Sequence, residues 1–561
     1  MSSEASQVLA RLGQVNDQDD LNRLKISLAK KLKAPKILSN IELAAHSEKG
    51  LLESRKELLT IKPMRTMSGV AVIAIMTQPI SCRHGRCTYC PGGVNSHFGT
   101  VTQSYTGNEP ASMRAVRNNY DPYLQVMNRL EQYAAMNKQF GKVEMIIMGG
   151  TFTSFPLRYQ EEFIKYAFKA MNDFSAMFMK SSEVQLGQFR EFFELPGTIK
   201  DSERVARIQR RLLSIKGESS LDEELNRNET AAVRCVALCF ETRPDWCYEP
   251  QISQILKLGC TRVELGLQSI YNEVLEKVGR MHDVGSTIHA TQLLRDSFIK
   301  VGYHVMPGLP GSTKEMDISM MRELFSNPDF RPDALKIYPC LVVKGTKLYE
   351  EWEQGEYAPL TTETAAEIIA EGKRFIPEYC RVMRIQRDIP TQVITAGVLN
   401  SNLRQYVMKQ LKEKGLNCKC IRCREPRGRR ISLDAITVKK QEYQAAGGTE
   451  LFISAEDQKN DILIGFCRLR IPAKPFRPEI TGGNCGIREL HVYGDLAPIG
   501  GKGEVQHRGI GKMLLAEAER SAWETFDAKK MLVISGVGAR EYYRKHGYAR
   551  EGAYMAKVLK V

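Results

Sequence analysis

The stretch VAVIAIMTQPISCRHGRCTYCPGG, residues 70–93, joins an apolar run directly to a loop with three cysteines. The run at 70–77 has the β-branched composition of a buried strand. Cys82, Cys87 and Cys90 follow with four and then two residues between them. Each iron of a [4Fe–4S] cluster takes one thiolate, so three cysteines would leave one iron open to a small molecule.

Zinc is the other metal that this spacing allows, because His84 or His97 could complete a tetrahedral site. The position of the loop favours the iron–sulfur interpretation. The loop leaves the end of a predicted strand, Tyr89 precedes the last cysteine, and GGTF at 149–152 ends the next predicted strand. An iron without a protein ligand could take the amine and carboxylate that S-adenosylmethionine offers.

Five further apolar runs follow the first and alternate with longer amphipathic segments. These runs lie at 143–150, 231–241, 261–269, 301–311 and 333–340. This alternation predicts a parallel sheet covered on both faces. Six such units are too few for a closed eight-stranded barrel, so we expect an α/β partial barrel. Its ligands should gather where the strands end, on the rim that carries the cysteines.

Composition and charge limit the classes of protein to consider. The chain has 561 residues, 43% hydrophobic and 26% charged, which is typical of a globular protein of two to four domains. Its net charge of +15 favours a polyanionic partner, with a solubility surplus as the simpler explanation. No apolar run is long enough to span a membrane and the start lacks a signal peptide, so a cytoplasmic protein is expected.

We predict four regions with different sequence character. Residues 1–65 form a helical, basic region, 66–375 the partial barrel, 376–440 a junction, and 441–561 a smaller α/β domain. In the first region, neighbouring lysines predict an arm that contacts phosphates, with a solvated helix end as the alternative. They are Lys30, Lys31 and Lys33.

The last region contains a glycine motif that opens an amphipathic helix at 504–520. Glycines at a helix N-terminus let backbone N–H groups approach a pyrophosphate. The residues of the motif are Gln506, Arg508, Gly509 and Gly511. An apolar strand precedes the motif, and a YYRKHGY segment with Tyr542 and Tyr543 follows the next strand. One of these tyrosines could act on a leaving thiolate, while the other is expected to pack in the core.

The junction carries a second cysteine cluster among basic residues. Cys418, Cys420 and Cys423 lie within six residues and predict a zinc site, with Cys380 as a candidate fourth ligand. Two basic groups nearby predict contacts with a phosphate backbone. These groups are Arg381, Arg384 and Arg387, and Arg427, Arg429 and Arg430.

These motifs resemble two known families. The cysteine loop, GGTF and the partial barrel resemble radical S-adenosylmethionine (SAM) enzymes, although four residues rather than the common three separate the first two cysteines. The resemblance implies that Gly149, Gly150 and Thr151 contact the methionine moiety. The spacing Gln-x-x-Gly-x-Gly resembles the acetyl-coenzyme A site of GNAT-type acetyltransferases. That resemblance implies that pantetheine pairs with the preceding strand, at Glu489, Leu490, His491 and Val492.

Both domains in this order resemble the family of Elongator catalytic subunits. Segments such as ETRPDWC (241–247), RVMRIQRDIP (381–390) and VISGVGAREYYRKHGY (533–548) carry the resemblance, which runs from about residue 65 to the end. The cysteine cluster and the insertion at 170–230 look more like the single-subunit archaeal or bacterial members. The resemblance implies radical modification of the wobble uridine of tRNA to 5-carboxymethyluridine, with a [4Fe–4S] cluster, SAM, acetyl-coenzyme A and zinc.

Two other functions remain to be weighed. The chain could be a protein lysine acetyltransferase, although its positive charge disfavours the acidic groove that a lysine-rich tail requires. It could also be a tRNA scaffold with degenerate sites, against which the intact cysteines, glycines and tyrosines argue. Other subunits or a second copy of the chain are expected partners that the sequence does not decide.

Overall fold

The computed structural model describes residues 3–34, 37–38, 40–47, 54, 58, 69–198, 200–427, 429, 431–493 and 509–559. Its first part is a small helical unit of α1 (Ser3–Ala10), α2 (Gln18–Lys31) and α3 (Asn40–His46). Asp17 caps α2 by accepting a hydrogen bond from the backbone N–H of Asp20 at 2.8 Å. Leu12, Leu21 and Leu43 belong to an apolar cluster within this unit. The predicted helical character is therefore present in its described residues.

The sheet of the partial barrel has one more strand than predicted. Its seven strands are all parallel, in the order β1-β4-β7-β8-β9-β10-β12. The strands of this half are β1 (Ala71–Met76), β2 (Gly93–Ser96), β3 (Gly99–Val101), β4 (Lys142–Met148), β5 (Met179–Lys180), β6 (Glu183–Val184), β7 (Arg234–Thr242), β8 (Arg262–Gln268), β9 (Lys300–Val305), β10 (Ala334–Ile337), β11 (Val342–Val343), β12 (Arg381–Arg384) and β13 (Ile394–Ala396).

Helices cover the outer face of this sheet. They are α4 (Pro110–Arg117), α5 (Pro122–Ala135), α6 (Leu157–Phe178), α7 (Leu186–Phe192), α8 (Ser202–Lys216), α9 (Leu221–Asn228), α10 (Glu249–Lys257), α11 (Asn272–Lys277), α12 (Val284–Asp296), α13 (Lys314–Ser326), α14 (Lys347–Glu353) and α15 (Thr362–Lys373). The predicted insertion at 170–230 consists mainly of the end of α6 and helices α7 to α9. Phe163, Ile164 and Phe168 on α6 are buried against the sheet, which explains the helix's apolar face.

The junction does not lie wholly outside the barrel. Strand β12 pairs with β10 as the last strand of the sheet, so the sheet extends beyond the predicted boundary at 375. The short helices α16 (Leu403–Glu413) and α17 (Ile421–Arg424) follow it. The sequence predicts a basic junction instead of strand β12, because three of the seven residues 381–387 are arginines.

The second half is built on another seven-stranded sheet, in the order β14-β15-β16-β17-β18-β20-β19. Its strands are β14 (Ile436–Ala445), β15 (Gly448–Asp457), β16 (Ile462–Ile471), β17 (Asn484–Val492), β18 (Lys530–Val533), β19 (Ala549–Glu551) and β20 (Tyr554–Val558). Helices α18 (Ile510–Phe526) and α19 (Arg540–Arg544) pack with it. Only the pair β17–β18 within this sheet is parallel.

Buried ion pairs hold the two halves together. Asp333 of the barrel accepts hydrogen bonds from Arg488 of β17 at 2.6 and 2.8 Å. Arg295 of the barrel lies 2.9 Å from Glu450 of β15, and Arg470 donates to Asp296 at 2.8 Å. All of these side chains are at most 1% exposed. Removing one partner from such a network is costly, so the halves are fixed relative to each other.

Candidate functional site

One cavity of about 2220 Å³ lies between the barrel and the second half. Both predicted active regions line it. At the barrel end the lining includes Cys82, Cys87, Cys90, Gly150 and Thr151, and at the other end Glu489, Leu490, His491, Val492, Gly509, Gly511, Tyr542 and Tyr543. The cysteine loop of the barrel and the glycine motif of the second half therefore line one common cavity.

The three cysteines are surrounded by donors to sulfur. Gln103 Nε2 donates to Cys90 Sγ at 3.0 Å, and Arg280 Nη1 lies 3.8 Å from Cys87 Sγ. His84 Nε2 lies 3.4 Å from the same Cys87 sulfur. Burial, and then the neighbouring cysteines, raise the pKa of Cys82 to about 11. A bound cation would therefore favour the thiolate form of Cys82.

The spacing of these sulfurs suits a cluster better than a single ion. Among the described residues, Cys82, Cys87 and Cys90 do not form a group whose ligand atoms all lie within 4.8 Å of one another. A single tetrahedral zinc with bonds of about 2.3 Å would bring its ligands that close. The predicted alternative of zinc with His84 or His97 is disfavoured, and three cysteines at one end of a large cavity fit a [4Fe–4S] cluster.

The glycine turn after β4 lies against this end of the cavity. Gly149 has a φ of +115° and Gly150 a φ of +73°. A Cβ on Gly150 would lie 3.9 Å from Cys82 Sγ, whereas a Cβ on Gly149 would collide with buried side chains. Thr151 lies beside the turn and its hydroxyl group interacts with Cys82. The turn brings a bare backbone to the cysteines, as a binding role for these residues requires.

A buried charged cluster at the centre of the barrel was missed by the sequence analysis. Lys336 Nζ forms ion pairs with Glu241, at 2.8 Å, and with Glu264. His304 Nε2 lies 2.9 Å from Glu264, and the hydroxyl group of Tyr105 donates to Glu241 at 3.3 Å. The Lys336 ammonium group pairs with both carboxylates, and ligand atoms of Glu241, Glu264 and His304 all lie within 4.8 Å of one another. Lys336 was overlooked because it lies in an apolar strand motif, DALKIYPC.

Strand β17 presents an open edge at the other end of the cavity. Residues 484–487 of β17 pair with β18, whereas the pairing of β17 with β16 continues to Val492. The backbone of 488–492 is therefore open towards β18, where the resemblance places pantetheine. Gly509 precedes α18 with a φ of +85°. Gln506 and Arg508 lie outside the described residues.

Two side chains of β17, the carboxylate of Glu489 and the imidazole of His491, lie on the side of the strand that faces the barrel. Glu489 pairs with Lys300 of the barrel at 2.5 Å and with Arg468 at 2.9 Å. His491 Nε2 is buried and has no hydrogen-bond partner among the residues that the structure describes. Burial lowers the pKa of His491 to about 4, so the imidazole is neutral at pH 7 and can accept a proton.

The two adjacent tyrosines have different environments. Tyr543 is 6% exposed and belongs to the apolar core of the second half. Tyr542 is 37% exposed, and its hydroxyl group lies 3.1 Å from the position of a Cβ on Gly511. Tyr542 is the tyrosine beside the open edge, and core packing accounts for Tyr543.

The junction cysteines come together without the predicted fourth ligand. The sulfurs of Cys418, Cys420 and Cys423 lie within 4.8 Å of one another. Cys380 is buried nearby, and its carbonyl accepts from Ile421 N–H at 3.0 Å, but its sulfur is not a member of that group. The Lys373 ammonium group lies 3.9 Å from Cys423 Sγ and adds positive charge to the cluster.

Most of the predicted basic residues of the junction line the cavity. They are Arg381, Arg384, Arg387, Arg427 and Arg429; Arg430 lies outside the described residues. Glu425 pairs with Arg381 and, at 3.1 Å, with Arg427, so it balances part of this charge. In the N-terminal unit, Lys30, Lys31 and Lys33 are all exposed.

Three known family models match successive parts of the chain. Residues 81–324 match the radical SAM superfamily, 332–413 the radical SAM C-terminal domain, and 419–548 the acetyltransferase (GNAT) family. The tRNA uridine(34) acetyltransferase of Methanocaldococcus jannaschii is 50% identical over 93% of this chain and 90% of its own. The Elongator complex protein 3 of Schizosaccharomyces pombe is 40% identical over 96% of this chain and 94% of its own.

The chain belongs to the Elongator complex protein 3 family. A solved structure of the archaeal Methanocaldococcus infernus Elp3, lacking residues 1–46, has 45% identity and a TM-score of 0.71. It is matched over 88% of this chain and 100% of its own. The radical SAM domain implies a [4Fe–4S] cluster and SAM, and the GNAT domain implies acetyl-coenzyme A. Among the described helices of this family member, none is both long and apolar enough to cross a bilayer.

Proposed function

We propose that this protein attaches a carboxymethyl group to C5 of the wobble uridine in tRNA, using acetyl-coenzyme A and SAM. The observation that carries the proposal is the single cavity whose lining includes both Cys90 and Tyr542. An acetyl group bound along β17 would then share one cavity with the radical site. The names of the close relatives support the same substrate, a tRNA uridine.

At the barrel end of the cavity, the chain's residues would bind and orient the cluster and SAM. Cys82, Cys87 and Cys90 would hold the cluster, which together with SAM supplies a 5′-deoxyadenosyl radical when bound. The backbone at Gly150 and the side chain of Thr151 would contact the methionine moiety. Burial of this end excludes bulk water, which would otherwise compete for a reactive radical.

At the other end of the cavity, residues of the second half would bind the thioester of acetyl-coenzyme A and promote its hydrolysis. The open edge of β17 and the N-terminus of α18 would bind pantetheine and pyrophosphate, with Glu489, Leu490 and Val492 along the edge. His491 Nε2 would accept the proton of the water that attacks the thioester carbonyl. The hydroxyl group of Tyr542 would donate a proton to the departing thiolate.

Two further assignments belong to this proposal. Cys418, Cys420 and Cys423 would hold a zinc ion that shapes the junction, because their sulfurs all lie within 4.8 Å of one another. The basic cavity mouth and Lys30, Lys31 and Lys33 would contact tRNA phosphates. The target base must leave its stack to enter the cavity, as is usual for chemistry on a base.

The test is an anaerobic reaction of reconstituted protein with tRNA, acetyl-coenzyme A and SAM, followed by mass spectrometry of nucleosides. Cys90→Ala should abolish 5′-deoxyadenosine formation and leave tRNA binding unchanged. Cys340→Ala is the matched control, because Cys340 is buried in the same apolar cluster without being a predicted ligand. Wild-type formation of 5′-deoxyadenosine by Cys90→Ala, or acetyl-lysine in place of modified uridine, would contradict the proposal.

A further inference from the structure

A second, smaller cleft of about 490 Å³ opens beside the mouth of the main cavity. It lies between the loop after β12 and the start of α16. Its lining carries four arginines and one aspartate, a net charge of +3 (four minus one). They are Arg384, Arg387, Arg404, Arg422 and Asp388.

Two of the arginines have partners and two do not. Arg384 pairs with Asp388, and Arg387 donates to the carbonyl of Ser104. Within the described part of the chain, Arg404 and Arg422 form neither a hydrogen bond nor an ion pair, and Arg422 Nε is fully buried. The cleft therefore contains guanidinium groups that pair with no carboxylate of the described residues.

Partly buried guanidinium groups without partners are unfavourable, because they lose hydration without gaining hydrogen bonds. Burial accordingly lowers the pKa of Arg404. An oxyanion in the cleft would supply the missing acceptors, and the planar fork of arginine favours phosphate.

The two cavities share part of their lining: Met383, Arg384, Arg387, Asp388 and Arg422. A group held in the cleft is thus next to whatever enters the main cavity. A nucleotide that inserts its base into the main cavity leaves its backbone phosphate at the mouth. Fixing that phosphate would hold the strand while the base is unstacked.

We propose that this cleft binds one phosphodiester of an RNA strand, next to the nucleotide whose base enters the main cavity. The inference rests on the proposed function and adds a specific phosphate site to it. The same phosphate chemistry could come from the coenzyme instead. Gly509 and α18 already provide a site for the coenzyme pyrophosphate, so the RNA backbone is the source that we argue for.

The experiment measures the affinity of the full-length protein for tRNA at several salt concentrations. The variants are Arg404→Gln, the charge-retaining Arg404→Lys, and the control Lys409→Gln. Lys409 lies on the same helix and is 73% exposed, so its removal changes net charge equally without affecting the cleft. Acetyl-coenzyme A affinity is measured in parallel for every variant.

Loss of one phosphate contact should flatten the slope of log K against log salt by about 0.7–0.9 in Arg404→Gln. Arg404→Lys should keep most of the slope, Lys409→Gln should keep all of it, and acetyl-coenzyme A affinity should not change. Equal slopes for Arg404→Gln and Lys409→Gln would overturn the inference. So would weaker acetyl-coenzyme A binding with an unchanged tRNA slope, which would assign the cleft to the coenzyme.

Failure of the underlying function gives a different result. If wild-type protein bound tRNA with no salt dependence, or did not bind it, the proposed tRNA substrate would fail together with the cleft. If wild-type protein bound tRNA normally and only the Arg404→Gln effect were missing, the cleft alone would be refuted.

Discussion

Alanine substitutions at Gly149 and Gly150 should separate folding from SAM binding. Both glycines have positive φ angles, +115° and +73°, so an alanine at either position costs about 1–2 kcal/mol in backbone strain. At Gly149 the new Cβ would also lie 2.4 Å from Thr102 Cγ2 and 2.6 Å from Thr77 Oγ1. Overpacking of this kind costs about 1–3 kcal/mol, so Gly149→Ala should lose about 2–5 kcal/mol in total.

Gly150→Ala should behave differently because its Cβ meets no buried side chain closely. The nearest atoms would be Gln103 Cβ at 3.4 Å and Cys82 Sγ at 3.9 Å, which are ordinary contacts. Its folding cost should therefore stay near the 1–2 kcal/mol of strain. The new methyl group would, however, occupy the side of the turn that faces the cysteines, and SAM binding should weaken about tenfold or more.

The assay combines urea denaturation with SAM binding to anaerobically reconstituted protein. We expect Gly149→Ala to have the lower denaturation midpoint and Gly150→Ala to have near-normal folding with weak SAM binding. Equal losses of stability in both variants would refute the steric argument. Wild-type SAM affinity in Gly150→Ala would refute the placement of the methionine moiety at this turn.

Three further predictions follow from particular residues. Asp333→Asn should lower the free energy of unfolding by about 3–5 kcal/mol, because it leaves buried arginines unpaired. The control is Asp388→Asn, which removes an exposed carboxylate. Equal urea midpoints for the two variants would contradict this prediction. Tyr542→Phe should slow thioester hydrolysis about 100-fold, whereas Tyr543→Phe should leave the rate nearly unchanged. The rate is measured as coenzyme A release in the presence of tRNA. Equal effects of the two substitutions would argue against Tyr542 as the proton donor. The pKa of His491 falls from 6.5 in the unfolded chain to about 4 in the folded protein. Between pH 6.5 and 4 the unfolded state therefore binds more protons than the folded state. The free energy of unfolding should accordingly fall as the pH drops from 6.5 to 4. His491→Gln should reduce this loss in urea titrations between pH 6.5 and 4, and an unchanged pH dependence would contradict it.

The sequence predicted the barrel well because its strands carry nearly continuous apolar residues. Strand β12 was missed because RVMR has two arginines in four residues and its pairing with β10 depends on the whole sheet. The sequence likewise does not predict that the strand residues Arg468, Arg470 and Arg488 are buried. Charged residues in strands normally indicate a solvated face, and only the docking of two sheets buries them.

The candidate site was predicted in its parts and not in its arrangement. Cysteine spacing and glycine motifs are local patterns, so Cys82, Gly150 and Gly511 could be identified directly. That Tyr543 packs into the apolar core while Tyr542 stays 37% exposed depends on how α19 packs. The cluster around Lys336 brings together residues from four strands, β7 to β10, and such groups leave no local pattern.

The central claim is that one cavity joins the radical site to the acetyl site, so no intermediate leaves the protein. A complementation experiment tests it most directly. Cys90→Ala, which lacks the radical site, is mixed anaerobically with Gly511→Leu, whose side chain would fill the space beside Tyr542. With tRNA, SAM and acetyl-coenzyme A present, we predict no 5-carboxymethyluridine from the mixture, while wild-type protein at the same concentration forms it. Formation of 5-carboxymethyluridine by the mixture would contradict the account.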